Sequence, residues 1–319
     1  MKPAQPALRD RRKLGRTDIF VTPVGLGGAW LGKKAGAPGS KMEFDDATAC
    51  AAVHAALGLG INLIDTSPLY GESERRIGLA LQEWYRLGGK RADLVLSTKT
   101  GTRTRPKDYS AGGTRRSVEE SMRLLKTEYL DIVLIHDPDA GDIEPALAPG
   151  GALEALLKMK AEGAIRAIGL GVRTHEFHRR CIGTGCFDLS LTYRDYNLID
   201  QTALDGVILP ASRQNMAVFN AAVLVGGLLG NVAPKPESIT YEISEPDARR
   251  AAALRDFAES RGVSLLALSL RYSLRDARIT STLIGVADTS ELESDFAALS
   301  EPVPAGIWDE LNQRFGLPV

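Results

Sequence analysis

The chain has 319 residues, 44% of them hydrophobic and 25% charged, with a formal net charge of -1. These are ordinary globular values with no electrostatic pull toward nucleic acid or an anionic membrane, so the expected partner is a small molecule. Cys50, Cys181 and Cys186 show no CxxC or histidine-paired spacing, which predicts reduced thiols and no metal site. The N-terminus has no apolar core and no run approaches the roughly 18 apolar residues of a membrane span, which predicts a cytoplasmic protein, monomeric or a weak homo-oligomer.

In chain order, KLGRTDIFVTPVG contains two short β-prone pieces around Arg16, Thr17 and Asp18, which predict a hairpin. Short apolar runs follow: VGLGG (24–28), INLID (61–65), LVLSTK (94–99), DIVLIH (131–136), AIGLGV (167–172), DLSLTY (188–193), MAVFNA (216–221) and STLIGV (281–286). Between them, stretches such as SERRIGLALQEWY and SVEESMRLLKTEY place apolar residues three or four apart, the helical period. This α/β alternation predicts a single domain over 1–319: a (β/α)8 TIM barrel whose floor is plugged by the N-terminal β-hairpin. A doubly wound sheet fits less well, because VGLGGAW lacks the helix start and the later acidic residue of a dinucleotide fingerprint. Segments 246–262 and 264–276 predict extra C-terminal helices in the last crossover. Polar loops at 31–43, 100–113, 137–149 and 222–246 follow the first, third, fourth and seventh strands, on the face where a barrel keeps its substrate contacts.

Three polar residues stand at strand ends on that face, Asp65, Lys99 and His136, and Tyr70 follows Asp65 by five positions. A lysine half-buried at a strand end seeks a carboxylate, and Asp65 is placed to supply it. A tyrosine titrates near pH ~10, so acid or base work near neutrality asks for a shift of roughly 2 to 3 units, which a neighbouring ammonium favours. A neutral His136 would donate a hydrogen bond to a substrate oxygen. Each residue also has a plain structural alternative: a helix cap, a loop anchor, a rim ion pair, a satisfied core histidine.

GINLIDTSPLYGESERRIGLAL, LVLSTKTG and SVEESMRLLKTEYLDIVLIHDPD resemble, in the right order, the signature, lysine strand and histidine strand of the aldo-keto reductases. HDPD (136–139), VFNAAVL (218–224) and STLIGVADTSELESDF (281–296) are most similar to the sugar 1-dehydrogenase branch acting on L-fucose, L-galactose and D-threo-aldoses. The resemblance implies a nicotinamide cofactor across the barrel top and catalytic Asp65, Tyr70, Lys99 and His136. Tyr70 would exchange the proton, Lys99 depress its pKa, Asp65 hold Lys99 and His136 orient the reacting oxygen, turning an aldose into a lactone. Implied cofactor contacts are Gly28, Ala29, Asp65, Gly171, Tyr193, Phe219, Asn220, Leu224, Gly285, Val286, Asp288, Glu291 and Asp295. Gly171 and Val172 replace a common Ser-Asn pair, Tyr193 a glutamine, and Ala221 a stacking aromatic with Phe219 close by.

The stretch GVADTSELESDF carries Asp288, Glu291 and Asp295 and no cation. Carboxylates there would repel a 2′-phosphate and accept from ribose hydroxyls, so NAD is expected over NADP, although acids are also favoured at any helix N-terminus. Trp30 and Tyr109 are candidate walls for a sugar ring, beside Tyr70 and His136. Arg103, Arg105, Arg115 and Arg116 form a local basic cluster that reads as a solvated surface, the alternative being attraction of an acidic substrate. Alternatives are an NADPH-dependent aldehyde or ketone reductase, a Schiff-base lyase using Lys99 as nucleophile, and a non-catalytic cofactor-binding regulatory subunit.

Overall fold

A computed structural model describes residues 10–33, 45–138, 142–234, 243–286 and 288–318. The chain enters through an antiparallel hairpin, β1 (Arg12–Lys13) and β2 (Phe20–Val21). Eight parallel strands then close a barrel: β3 (Val24–Gly27), β4 (Leu63–Asp65), β5 (Val95–Thr100), β6 (Leu130–His136), β7 (Ile165–Gly171), β8 (Leu189–Tyr193), β9 (Ala217–Ala221) and β10 (Ser281–Gly285), the last pairing back onto β3. Every expected apolar run is a strand, because parallel barrel strands are covered on both faces and read as continuous hydrophobic stretches.

Helices α1 (Asp46–Gly58), α2 (Ser73–Arg86), α3 (Ala111–Leu125), α4 (Glu144–Leu147), α5 (Ala152–Ala161) and α6 (His175–Thr184) cover the first half. A π turn (Leu204–Ile208) runs into α7 (Leu209–Arg213), followed by α8 (Glu245–Ser260), α9 (Leu265–Arg275), α10 (Thr289–Ser300) and α11 (Ile307–Phe315). The two helices expected in the last crossover are α8 and α9. Their starts are capped by Ser244 and Ser264, whose hydroxyls accept from the backbone N–H of Asp247 and Ala267.

Two cores result. The outer one joins the helices' apolar faces to the outward strand residues. The inner one fills the barrel with Leu63, Val95, Ile132, Leu189, Ala217 and Phe219, and Leu14, Ile19 and Val21 of the hairpin close it from below. The hairpin's turn lies so close to the start of β9 that a Cβ on Gly15 would stand 2.6 Å from Asn215 O; its φ of +52° suits glycine as well. Of the loops expected on the opposite face, residues 34–44, 139–141 and 235–242 lie outside the described residues. Among the described residues, no helix is long and apolar enough to cross a membrane and no cluster of three His, Cys, Asp or Glu is placed to hold a metal ion.

Candidate active site

Asp65 pairs in register with Ser97, so Lys99 stands one inward position further up the neighbouring strand, above the carboxylate. Lys99 Nζ donates to Asp65 Oδ2 at 2.5 Å and to Thr66 O at 2.8 Å, and Ser97 Oγ donates to Asp65 Oδ1 at 2.7 Å. Both charged groups are almost fully buried. Burial alone would lower the lysine's pKa, but Asp65 and Tyr70 outweigh it and hold the amine above its ordinary value. Lys99 is therefore a fixed ammonium.

Tyr70 is carried to this pair by a turn in which its N–H donates to Ser67 O. The loop after β3 fastens that turn: a Cβ on Gly32 would fall 1.4 Å from Tyr70 O, and the N–H of Glu72 donates to Gly32 O at 3.3 Å. Arg76 holds the same loop, donating to Leu31 O at 2.7 Å and Lys33 O at 2.8 Å. The Tyr70 ring lies edge-on to His136 with centroids 6.0 Å apart, and Lys99 Nζ is 5.0 Å from the Tyr70 centroid. Burial raises the phenol's pKa more than Lys99 lowers it. This corrects the expectation of a phenol depressed below its ordinary value. Lys99 pulls in the expected direction, but dehydration dominates, and Tyr70 keeps its proton through neutrality.

His136 is pushed well below its ordinary pKa by burial, then by Lys99, Lys107 and Arg173, and is neutral. Its Nδ1 meets two hydroxyls, Ser67 Oγ at 3.0 Å and Thr102 Oγ1 at 3.3 Å. Ser67 Oγ already accepts from the N–H of Leu69 at 3.1 Å, so its own proton is free for Nδ1, an arrangement that favours the tautomer with hydrogen on Nε2. Neither hydroxyl was singled out in the sequence, and a histidine at a strand end gives no sign of which loops reach its far nitrogen.

Other expected contacts divide into those at the mouth and those turned away from it. Gly28 lies against the β4 end, its N–H donating to Asp65 O at 2.7 Å, and Ala29 beyond it is exposed. Trp30 packs on the end of β10, where a Cβ on Gly285 would stand 2.9 Å from the indole, and Lys33 Nζ sits 3.4 Å over its ring. Tyr109 is placed as a brace: its hydroxyl donates to His136 O at 2.7 Å while its ring fills the space beside Gly101. Phe219 is 0% exposed and belongs to the barrel's inner core, leaving no face for a nicotinamide. Asn220 points outward and donates to Tyr196 O and Ser273 Oγ, both at 2.8 Å, and Val286 is buried in the outer core. Leu224 packs on the outer core as well.

At the start of α10, Asp288 is the N-cap, its carboxylate accepting from the N–H of Glu291 at 2.9 Å. Burial, with Glu291 nearby, pushes Asp295 up to about 7, so it is no dependable anion at neutral pH. Glu291 is the exposed acid of the three. The arginine cluster is largely paired: Arg103 with buried Glu74, Arg115 with Glu162, and Arg116 with Asp108.

Beyond the tetrad the mouth opens at Gly171, where an added Cβ would lie 3.7 Å from Lys99 Cε and 3.9 Å from His136 Cδ2. Further along the rim a cavity of about 700 Å³ is lined by Arg173, His175, Tyr193, Asp195 and Val225 among others. There Asp195 Oδ2 bonds His175 Nε2 at 2.7 Å, while the buried Oδ1 has no partner among the described residues. Arg173 lies over the Tyr193 ring at 5.0 Å.

Residues 23–313 match the profile of the aldo/keto reductase family. The chain is 34% identical over 308 residues to L-galactose dehydrogenase of Arabidopsis thaliana, covering 94% of this chain and 91% of that one. It is 30% identical to D-threo-aldose 1-dehydrogenase of a Pseudomonas species, covering 96% and 99%. Its fold superposes on an aldo-keto reductase of Bacillus halodurans in its holo form with a TM-score of 0.77, at 23% identity and 96% coverage of each chain. A closed eight-stranded barrel, the strand-end residues gathered at its mouth and these matches lead to one conclusion: the chain belongs to the aldo/keto reductase family.

Proposed function

We propose that this oxidoreductase converts an aldose to its lactone at C1, with a nicotinamide cofactor, NAD in preference to NADP, and with Tyr70 as proton-exchanging group. The observation that carries the proposal is the buried Lys99–Asp65 pair lying beneath Tyr70 and a neutral His136 at one mouth. The names of the two sugar dehydrogenases that are 34% and 30% identical to this chain support the substrate class. A flat ring fits the geometry: Gly171 keeps clear the space over Lys99 and His136, and the rim cavity beside it is lined by Tyr193 and Arg173. Gly171 and Tyr193 would hold a nicotinamide there, which when bound would supply the hydride acceptor for C1.

The protein's own residues handle the oxygen. Nε2–H of His136 donates to the anomeric oxygen and fixes C1, its other nitrogen being occupied by Ser67 and Thr102. In oxidation Tyr70 acts from its deprotonated form, which the Lys99 ammonium stabilises; the tyrosinate takes the anomeric proton and is neutralised, and in the reverse direction Lys99 stabilises the charge left when the phenol gives that proton up. Asp65 and Thr66 O keep that ammonium aimed.

Reduction of an aldehyde or ketone by the reverse path is the second reading, favoured by one observation: the raised pKa of Tyr70 keeps a proton ready to give. A Schiff-base lyase is disfavoured, since its lysine must be neutral and Lys99 is held charged. A non-catalytic role leaves the assembled tetrad without a purpose. Preference for NAD rests on exposed Glu291 and on the absence of Lys or Arg along 286–300. A panel of aldoses and simple carbonyl compounds with NAD, NADP and their reduced forms, followed by absorbance of the reduced cofactor, tests all of this. Lactone formation with NAD is expected; no aldose oxidation with either cofactor would sink the substrate assignment, and equal kcat/KM with both would sink the cofactor preference.

A further inference from the structure

The residue after the histidine strand has a conformation and a placement that the tetrad does not account for. Asp137 has φ +39°, in the left-handed region that side chains other than glycine, asparagine and aspartate seldom adopt. Its backbone is pinned on both sides: its N–H donates to Gly171 O at 3.1 Å, and its own carbonyl accepts from Lys107 Nζ at 2.6 Å. This turn swings the carboxylate back over the mouth, where Oδ2 lies 3.8 Å from His136 Nε2 with the side chain 29% exposed. Among the described residues the carboxylate has no hydrogen-bond donor, and the only group of basic type within 4.0 Å is that neutral ring. Burial raises its pKa above the ordinary carboxylate value; Arg173, Lys107 and Lys99 pull the other way without binding it. A half-buried carboxylate costs free energy unless something donates to it.

We infer that Asp137 accepts the hydroxyl on the carbon next to the reacting one, and thereby selects aldoses and other 2-hydroxy carbonyl compounds over plain aldehydes. The distances suit this assignment. When one oxygen sits on His136 Nε2–H, a vicinal gauche oxygen lies about one hydrogen-bond length, roughly 2.8 Å, away from it, on a spacing that reaches an acceptor set 3.8 Å from Nε2. Position thus joins the group that orients the reacting oxygen to a group that reads its neighbour. The inference rests on the oxidoreductase reading of the tetrad and deepens its substrate class.

Asp137→Asn is the informative variant, because asparagine also tolerates the left-handed backbone and keeps the volume while removing the charge. Wild type and Asp137→Asn are compared on matched pairs that differ only in the 2-hydroxyl: an aldose and its 2-deoxy form in oxidation, glyceraldehyde and 3-hydroxypropanal in reduction. Loss of a charge-assisted hydrogen bond should lower the ratio of kcat/KM for the hydroxylated over the deoxy partner by about 10- to 100-fold. An unchanged ratio, including equal losses on both partners from a disturbed His136 or a poorly folded variant, overturns the assignment. Absence of aldose oxidation by wild type defeats the lactone-forming reading on its own, while the glyceraldehyde pair still decides the role of Asp137.

Discussion

The two ends of the barrel both bury carboxylates, and they treat them differently. At the lower end Asp131 is fully buried and answered three times: by Arg91 at 2.7 Å, by Arg166 at 2.7 Å and by the N–H of Leu96 at 2.9 Å. Asp188 is held by Lys160 at 2.6 Å, by the N–H of Ile168 at 2.9 Å and by Arg16 of the hairpin at 3.4 Å. At the upper end Asp65 is satisfied, but among the described residues the half-buried Asp137 carboxylate has no donor and the buried Asp195 Oδ1 has no partner. Complete satisfaction is what stability asks for; polar groups left waiting in preset positions are what a binding site asks for.

Breaking the buried pair at the top should have the largest effect. Lys99→Met removes the charge that stabilises a tyrosinate and strands Asp65 without a counter-ion. Turnover should fall about 10²- to 10⁴-fold and unfolding free energy by about 3–5 kcal/mol, more on both counts than in Asp65→Asn. Steady-state kinetics with urea unfolding check this, and near wild-type turnover at neutral pH would mean the roles are misassigned.

The lower end should separate the two properties. Asp131→Ala leaves two arginines and a backbone N–H unanswered and should cost about 3–5 kcal/mol of stability. Specific activity of the fraction that remains folded should nevertheless stay within about twofold of wild type, since the site lies at the opposite strand ends. A drop in kcat matching that of Lys99→Met would abolish the contrast between the ends.

A pH titration sharpens it further. Burial pushes His178 down to about 4, despite its bond to Val172 O, and pushes His136 down as well. The unfolded chain takes up these protons near pH 6.5 and the folded chain does not, so stability is lost as pH falls from about 6.5 toward 4. His178 alone contributes about 3 kcal/mol over that window. Replacing His178 with glutamine should flatten the slope in a series of urea melts; an unaltered slope would show that its protonation is not coupled to folding.

Asp295 should act in the opposite direction, raised to about 7 by burial beside Glu291. Here the folded state holds a proton that the unfolded state releases, so stability is lost as pH rises from about 4 to 7. Asp295→Asn should therefore melt at a higher temperature than wild type at pH 8, with a gain of up to about 4 kcal/mol, and at nearly the same temperature at pH 4. A gain of equal size at both pH values would tie it to packing instead.

Strand positions and the meeting of Asp65, Lys99 and His136 were readable because continuous apolar runs mark barrel strands and their polar ends share one face. The short α4 and α7 and the largely polar α6 were not singled out; α6, HEFHRRCIGT, buries few apolar side chains. Phe219 was misread by depth: inward positions alternate, so it sits one layer below Ala221 and inside the core. Asp288 answered to the simpler of its two readings, as a cap. The direction of the Tyr70 shift was out of reach, since it depends on how much water the assembled mouth excludes. So were Ser67, Thr102 and Asp137, whose meaning comes from loops closing over a ring nitrogen.

Gly32 sets a rule for anyone who would re-engineer this protein. A methyl group at that position would overlap the carbonyl of Tyr70, so the loop after β3 and the turn bearing the phenol are seated as one piece. A graft that exchanges the loop to change specificity should begin beyond Lys33 and leave 30–33 intact. One cut earlier would alter the chemistry while aiming only at the choice of sugar.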